Sequence, residues 1–445
     1  MVTEDRLPTK PLECWAKMKE LRRKHFRHTW EAKDRGDVVI MGIVQYLLSI
    51  FAGLGNYANP SFGPYFTTLM RNPDELVKCL ESVEARGFKK DICAAMRCHL
   101  GQLYAGQSTH NPLGGECKPD FIFQVDACPL MGKTGQLAGD ILGVPYFVID
   151  FPHSGSQQAR QYLLDQMQEA ISWMEKVTGR EYNDELLIQA MKNEWRSMTL
   201  WAEVCMQVQH VPAPIDWRHL WSLRLPLVTM RHTEEVVDYV KMVLDEVKDR
   251  AKQGISARGF ERARFTSEGL PPFFYPQILH HPEKYGAIYV IGGFGVTEWG
   301  AWDMAQDGTW TPAKPHWERG IEVRTREGAL RTLVDLYVDH TNFQRTWTLQ
   351  FRPQEAVKRT QDWHCAGAVA INDLGCKGAQ VGVGEILNAL GDAGIPTVVF
   401  DSSQTDPRDF DLAQVTDRVD TFFENLGLTR LEDGEAIPEP SGDAD

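Results

Sequence analysis

The sequence lacks the long apolar runs and the basic surplus that mark membrane-spanning and nucleic-acid-binding proteins. Its most apolar stretch, residues 38–55, is interrupted by Gln45, Tyr46 and Ser49, whereas a membrane helix needs about 20 predominantly apolar residues. Acidic side chains outnumber basic ones by 61 to 47, which gives a net charge of −14. Because nucleic acids are held mainly by Lys and Arg at phosphates, we expect neither a membrane span nor a nucleic-acid partner.

A secretion signal is lacking as well. The first six residues, Met-Val-Thr-Glu-Asp-Arg, do not show the basic-then-apolar order of a signal peptide. We therefore expect a cytoplasmic protein, in which thiols stay reduced and disulfides are rare. The chain nevertheless contains nine cysteines, an odd number. In a reducing compartment such cysteines are packing residues, nucleophiles or metal ligands.

Several familiar catalytic motifs are also missing from the sequence. It contains no His-Glu-x-x-His, no paired Cys-x-x-Cys and no Gly-x-Ser-x-Gly. Gly132-Lys133-Thr134 resembles the end of a phosphate-binding loop, but the glycine required five positions earlier is Ala127. We therefore expect an ordinary helix N-terminus at this position and not a nucleotide-binding loop.

Length and composition predict a globular protein of several domains. The 445 residues exceed the roughly 100–200 residues of one domain, and 43% hydrophobic with 24% charged residues is ordinary for a folded protein. We expect five segments: a helical N-terminal segment (1–36), a first α/β domain (37–156), a helical middle region with a linker (157–282), a second α/β domain (283–428) and a disordered acidic tail (429–445).

Two segments repeat the same order of strand, cysteine, helix, proline and strand. In the first, the apolar run 121–125 precedes Cys128; in the second, the run 368–371 precedes Cys376. A Val-Pro or Ile-Pro pair then opens the next strand in each segment. Strands that alternate with helices predict βαβ units and parallel sheets. The expected fold is α/β, with two Rossmann- or flavodoxin-like domains facing each other across a cleft.

The position of these two cysteines predicts a shared site. Ligands of open α/β sheets bind outside the carboxyl ends of the strands, and a helix N-terminus lowers the pKa of a thiol. A third thiol would come from the predicted helix at 91–101, which carries Cys93 and Cys98. Three thiolates at long, irregular spacings suit an iron–sulfur cluster with one open iron, whereas zinc sites more often use short paired spacings. Packing cysteines are the alternative.

The ordered set of segments resembles the benzoyl-CoA reductase / 2-hydroxyacyl-CoA dehydratase family. The similarity runs through residues 37–55, 91–101, 120–152 and 367–427. Its recognisable points include the strand that ends in Asp150-Phe-Pro and the later Gly394-Ile-Pro. The middle region, with Trp217 and Trp221, is most similar to the catalytic, cluster-binding B-type subunit of ATP-dependent benzoyl-CoA reductases.

The resemblance implies that Cys93, Cys128 and Cys376 ligate a [4Fe–4S] cluster, with Cys98 as the alternative to Cys93 and a non-cysteine fourth ligand. It also implies a homologous cluster-binding subunit and ATP-hydrolysing subunits, supplied by a ferredoxin, that inject low-potential electrons singly. An aromatic acyl-CoA thioester would be reduced through a ketyl radical anion to a cyclic diene. A dehydratase would instead expel a hydroxyl group and recover the electron. A non-catalytic relay or scaffold is a third interpretation.

Other candidate residues carry weaker signals. His99, His153 and His364 are candidate proton donors near the predicted ligands, although such histidines are more often surface or hydrogen-bonded packing residues. Lys133, at the start of a crevice-facing helix, is a candidate for binding a CoA phosphate, although a solvated lysine is the more common case. The remaining cysteines are predicted to be structural: Cys14, Cys79, Cys117, Cys205 and Cys365.

Overall fold

Two four-stranded parallel sheets form the framework of the protein in the computed structural model. The structure describes residues 6–42, 46–60, 69–70, 72–106, 117–152, 154–293, 297–305, 309–340 and 351–431. No helix within these ranges is long and apolar enough to cross a membrane. The expected α/β fold with two parallel-sheet units is confirmed. The expected acidic tail falls almost entirely outside the described residues.

The first sheet follows the N-terminal helix α1 (Cys14–Trp30). Its elements are β1 (Val38–Met41), a 3-10 helix (Leu48–Leu54), β2 (Tyr57–Ala58), α2 (Pro73–Glu84), α3 (Ala94–Tyr104), β3 (Phe121–Asp126), α4 (Pro129–Leu142) and β4 (Tyr146–Asp150). The strand order is β2-β1-β3-β4. The chain leaves β1 towards one edge and β3 towards the other, so the order reverses between β1 and β3. Such reversals create the crevice in which open α/β sheets bind ligands.

A helical region connects the first sheet to the second. It comprises α5 (Gln157–Thr178), α6 (Asp184–Gln207), α7 (Trp217–Leu223), α8 (Leu225–Met230) and α9 (Glu234–Gln253). The Asn183 side chain accepts N–H bonds from the first turn of α6, a strong helix-start signal. Trp195, Trp201 and Trp217 are fully buried, so these large side chains supply much of the packing between the helices and the sheets.

The second sheet has the strand order β10-β9-β5-β6. Its strands are β5 (Ala263–Glu268), β6 (Ala287–Gly292), β9 (Gly367–Asp373) and β10 (Thr397–Ser402), and β7 (Trp302–Met304) with β8 (Trp310–Pro312) forms a separate antiparallel pair. The α-helices are α10 (Arg326–Asp335), α11 (Arg352–Asp362), α12 (Lys377–Gln380), α13 (Val383–Asp392) and α14 (Leu412–Asn425). Short 3-10 helices lie at Pro276–Tyr285, Thr297–Trp299, His316–Arg319 and Pro407–Asp409, and a π-helical turn lies at Leu336–His340. Strand order reverses between β5 and β9, as it does in the first sheet.

Strand β5 lies inside the range that was expected to form the helical middle region and linker. Its charged side chains, Arg264 and Glu268, argue against a central strand, yet both are buried. Arg264 donates to Glu261 at 2.6 Å, and Glu268 accepts two N–H bonds from Arg359 at 2.7 Å. Buried charges are tolerated when they are paired. Arg359 is 91 residues away in the sequence, so local sequence does not reveal this pairing.

Candidate functional site

Each of the three cysteines predicted as ligands is the residue immediately before a helix. Cys93 is the N-cap of α3, Cys128 that of α4 and Cys376 that of α12. The first turn of a helix has backbone N–H groups without partners in the helix, and these favour negative charge. The sequence indicated this placement for Cys128 and Cys376. For Cys93 it indicated a position within a helix, whereas the helix begins one residue later.

The three thiols interact with one another in an environment that is built from both sheets, in which Cys93 is buried and Cys128 and Cys376 are partly buried. Electrostatic interactions link Cys93 to Cys128 and link Cys376 to both of the others. The N–H of Ala94 donates to the carbonyl oxygen of Gly375 at 3.0 Å, which joins the start of α3 to the loop carrying Cys376. Cys128 follows β3 and Cys376 follows β9, and each of these strands borders its sheet's reversal of strand order. The site therefore occupies the ligand-binding edge of both sheets.

Gly375 permits the close approach of this loop. A Cβ at this position would lie 2.5 Å from Ser403 Oγ and 3.0 Å from the Cβ of Ala94. These distances are too short for ordinary van der Waals contact, so a larger residue would force the loop away from α3. The glycine thus holds Cys376 near Cys93.

Burial raises the pKa of all three thiols: that of Cys93 to about 12, and those of Cys128 and Cys376 above their ordinary value. The backbone N–H groups at the helix starts act in the opposite direction. Burial alone therefore favours neutral thiols, whereas coordination to a metal deprotonates them outright. The protonation state of the three thiols therefore depends on what they bind.

A buried carboxyl group, that of Asp373, adjoins the thiols of Cys93 and Cys376. Its Oδ1 accepts N–H bonds from Gly375 at 2.9 Å and Gln404 at 3.2 Å, whereas Oδ2 has no hydrogen-bond partner among the described residues. Burial raises the pKa of this carboxyl to about 7. An unpartnered oxygen in such a position is costly unless it is protonated or lies beside a cation. Three thiols and one carboxyl oxygen fit an iron–sulfur cluster with a non-cysteine site.

Within the described residues, no three His, Cys, Asp or Glu side chains form a group that could hold a single metal ion.

Cys98 and Cys365 lie away from this group. Cys98 is fully buried within α3, and its strongest thiol interaction is with Cys79 of α2. Cys365 precedes β9, and its Sγ contacts the carbonyl oxygen of Trp363. It is separated from Cys376 by the length of that strand, about 20 Å at roughly 3.3 Å per residue. The geometry thus groups Cys93, and not Cys98, with Cys376.

Of the three candidate proton donors, the structure describes His99 and His364. His364 is exposed and sits before β9, at the end opposite Cys376, which corrects the expectation that it lies near the ligands. His153 lies outside the described residues. His99 is buried in α3, and burial lowers its pKa to about 3. Lys133 is exposed on α4 and donates to Gln136 at 3.4 Å, so its proposed contact with a CoA phosphate stays a prediction.

The neutral state of His99 should make stability depend on pH. Its folded-state pKa lies below the unfolded value of 6.5, so its contribution is complete above that value and is lost as pH falls towards 3. We expect His99→Gln to reduce the slope of unfolding free energy against pH, between pH 6 and 4, by about 1.4 kcal/mol per pH unit. Urea unfolding at several pH values measures this slope. The exposed His364→Gln variant is the control, and equal slopes in the two variants would contradict the expectation.

An ion-pair network beside the site had no signal in the sequence. Arg97, one turn after Cys93, is fully buried and pairs with Glu84 of α2 and with Asp406 at 3.2 Å. Arg408 pairs with the same two carboxylates at 2.6 and 2.8 Å. The network fastens α2 and α3 to the loop after β10. Arg97 and Asp406 are 309 residues apart, and only the fold brings them together.

A partly exposed aromatic surface extends from the site into the helical region. Phe273 packs against the apolar cluster that contains Cys93. The ring centroid of Trp221 lies 5.5 Å from that of Phe273 and 5.0 Å from that of Trp217, on which it stacks. The Arg224 guanidinium lies 3.7 Å from the centre of the Trp221 ring. We call Trp221 and Phe273 the aromatic pair.

Comparisons with known proteins match this architecture. The family model described as 2-hydroxyglutaryl-CoA dehydratase, D-component, matches residues 74–426, a range that includes Cys93, Cys128 and Cys376. The (R)-phenyllactyl-CoA dehydratase alpha subunit of Clostridium sporogenes is 26% identical over 76% of this chain and 78% of its own length. The (R)-2-hydroxyglutaryl-CoA dehydratase alpha subunit of Acidaminococcus fermentans is 25% identical over 69% of this chain, which spans 60% of that protein.

A benzoyl-CoA reductase is among the relatives as well. The B-type subunit of the Thauera aromatica enzyme is 20% identical over 78% of this chain and 79% of its own length. The family resemblance seen in the sequence is therefore confirmed. The chain belongs to the 2-hydroxyglutaryl-CoA dehydratase D-component family.

Proposed function

We propose that the chain is the iron–sulfur subunit of a radical acyl-CoA enzyme, with Cys93, Cys128 and Cys376 as the ligands of a [4Fe–4S] cluster. The observation that carries the proposal is that three helix-capping thiols from both sheets, one buried and two partly buried, interact with one another. A bound cluster of this kind supplies reversible one-electron transfer at low potential. The relatives, which are themselves named as subunits, support an assembly with further subunits.

The chain's own residues would hold the group and keep it dry. The apolar cluster around Cys93 includes Met70, Leu80 and Met96, all buried, and it excludes water from one side of the site. Asp373 fixes the turn before Cys376 through its bond to the N–H of Gly375 at 2.9 Å. Low dielectric strengthens the electrostatic effect of nearby dipoles and charges on a transferred electron.

The aromatic pair favours a substrate whose acyl group contains an aromatic ring. Trp221 and Phe273 are only partly buried and contact each other, and Phe273 packs against the apolar cluster that contains Cys93. Aromatic rings in contact contribute about 0.5–1.5 kcal/mol beyond the burial of area. Two of the relatives are named for phenyllactyl-CoA and benzoyl-CoA, and both of these thioesters contain a phenyl ring.

The comparisons favour dehydration of a 2-hydroxyacyl-CoA as the reaction. Two dehydratase alpha subunits are 26% and 25% identical to the chain, and the Thauera aromatica benzoyl-CoA reductase chain is 20% identical. Reduction of benzoyl-CoA, the first expectation from the sequence, is the second candidate, and the aromatic pair is compatible with it. Either reaction would take its electrons from an ATP-hydrolysing activator fed by a ferredoxin, together with a homologous cluster-binding subunit.

Purification under strict anaerobiosis tests the proposal directly. We expect a brown protein with about four irons and four sulfides per chain, and a spectrum that changes reversibly on reduction. The measurement is iron and sulfide analysis combined with EPR spectroscopy. A colourless, iron-free protein obtained without exposure to oxygen would contradict the proposal.

An assay of the complete system separates the two reactions. The chain, its partner subunit, the activator and ATP are incubated anaerobically with (R)-phenyllactyl-CoA or with benzoyl-CoA. A dehydratase forms the unsaturated thioester from the first without net consumption of electrons. A benzoyl-CoA reductase forms a cyclic diene from the second and consumes two electrons. Formation of the diene alone would overturn the preference for dehydration.

The aromatic pair gives a prediction on selectivity. We expect Trp221→Leu to lower kcat/KM for an aromatic acyl-CoA by about 3- to 10-fold and to leave an aliphatic 2-hydroxyacyl-CoA nearly unaffected, because only the aromatic group loses a ring contact. Parallel kinetics on both substrates measure the ratio. Trp30→Leu, on α1 and 42% exposed, is the matched control. A uniform loss on both substrates would contradict a role in recognising the ring.

A further inference from the structure

We infer that Gln404 is a positioning residue that donates a hydrogen bond to the sulfur of Cys93 and thereby sets the reduction potential of the bound cluster. The inference rests on the proposed function, because it concerns the same three ligands. It assigns to the site a hydrogen bond from a side chain that is not itself a ligand and that lies on the loop after β10.

The geometry of Gln404 supports this role. Its Nε2 lies 3.8 Å from Cys93 Sγ, a distance at which an amide donates to sulfur. The residue is only 6% exposed, so water does not compete for the amide. A side-chain amide beside a buried sulfur has few other uses, since buried polar groups are nearly always hydrogen-bonded.

The backbone of Gln404 is fixed from two directions. Its N–H donates to Asp373 Oδ1 at 3.2 Å, and its carbonyl oxygen accepts the N–H of Phe273 at 2.9 Å. Asp373 ends the strand that leads to Cys376, so the same contact ties Gln404 to the loop of a second ligand. A side chain that starts from a fixed backbone loses little further entropy when it bonds to sulfur.

The segment around Gln404 is anchored to the ligand-bearing elements at both ends. Ser402 pairs with Asp373 in the parallel register of β10 and β9. Asp406 is bound by Arg97, which follows Cys93 by one turn of α3. The Oγ of Ser403 accepts the N–H of Asp406 at 3.2 Å. The loop is therefore a rigid support for the amide, and small movements of α3 are resisted by the ion pair.

The physical consequence concerns the charge of the cluster. Reduction adds a negative charge that is shared with the cysteine sulfurs, and a hydrogen bond to a sulfur stabilises the more negative state. Hydrogen bonds to the sulfurs are among the factors that set these potentials, and contacts of this outer kind change metal-site properties measurably. Removal of the amide donor should therefore make the cluster harder to reduce.

The test uses two substitutions of similar shape in the assembled complex. Gln404→Met keeps the length of the side chain and removes the donor, and Gln404→Glu replaces the amide with a carboxylate. Anaerobic redox titration followed by EPR gives the midpoint potential, and iron analysis is run on the same samples. We expect a more negative midpoint for Gln404→Met, a larger shift for Gln404→Glu, and no shift for Gln414→Met, an exposed position on α14.

The possible outcomes separate this inference from the proposed function. An unchanged midpoint in Gln404→Met at full iron content overturns the role of Gln404 and leaves the cluster intact. If Gln404→Met loses iron, the midpoint of an iron-replete Gln404→Glu decides. Loss of iron from both variants would show that Gln404 is needed for assembly and would overturn its role in setting the potential. An iron-free wild-type chain would overturn both proposals.

Discussion

Cys376→Ser is expected to remove iron from the chain and to lower turnover of the assembled enzyme by at least about 100-fold, because loss of an outer contact alone costs 10- to 100-fold at metal sites. Cys376 ends the turn that Asp373 and Gly375 hold against α3. A serine oxygen at this position is a harder ligand than a thiolate, and iron–sulfur clusters are held by thiolates. Iron analysis, EPR and anaerobic turnover measure the effect.

Cys98→Ser is the matched control for this prediction. Cys98 is fully buried and lies on α3, the helix that Cys93 caps, but its strongest thiol interaction is with Cys79 of α2. We expect full iron content in this variant, with a modest loss of stability from burying a hydroxyl. Loss of iron from Cys98→Ser, together with its retention in Cys93→Ser, would reverse the assignment of the two cysteines.

Cys128→Ser addresses the interpretation of the chain as a non-catalytic scaffold. Cys128 caps α4 at the strand-order reversal of the first sheet. If the chain carries the reacting cluster, turnover by the assembled complex is lost in this variant. If the chain only supports a catalytic partner, turnover survives while the complex still forms, which size-exclusion chromatography checks.

The sequence predicted those parts of the site that depend on local order. Cys128 and Cys376 each lie between an apolar strand and a helix, and such a joint is readable from a dozen neighbouring residues. Cys93 was placed in the correct segment but on the wrong side of the helix boundary. Helix ends are difficult to place because a residue with the N-cap conformation differs from the first helical residue only in its backbone angles.

The features that the sequence did not reveal depend on distant partners. Strand β5 contains Arg264 and Glu268, whose charges are compensated by Glu261 and Arg359. Gln404 and Cys93 are 311 positions apart in the sequence, and only the fold brings them together. The local sequence around Gln404 indicates no more than a polar loop. Long-range pairing of polar groups is what turns such a loop into part of a site.

A second buried network should dominate the stability of the junction between the first sheet and the helical region. Glu194 of α6 is fully buried and accepts N–H bonds from Arg231 and from Ser49 at 2.9 Å, and it also accepts the hydroxyl of Tyr337. Burial favours the neutral acid, but the Arg231 charge and the bonds from Ser49 and Tyr337 outweigh it, so the pKa of Glu194 is lowered. Four segments of the chain thus meet at one carboxylate.

Arg231→Met is expected to lower the free energy of unfolding by about 3–5 kcal/mol, because it leaves a carboxylate buried without its cation. In the variant the folded-state pKa of Glu194 should rise above its unfolded value, so the penalty should be greater at pH 7 than at pH 5, where the acid can bind a proton. Urea unfolding at both pH values measures this. Lys241→Met, which breaks the exposed pair with Asp245, should cost no more than about 0.5 kcal/mol.

The double variant Arg231→Met/Glu194→Gln decides whether charge is the cause. Glutamine removes the charge of Glu194 and keeps a side-chain oxygen that can accept a hydrogen bond from Ser49 or Tyr337. Because a buried neutral amide costs less than a buried carboxylate without its cation, we expect the double variant to be more stable than Arg231→Met at pH 7. If it is no more stable, the arginine stabilises the junction through packing of its side chain, and not by compensating the charge of Glu194.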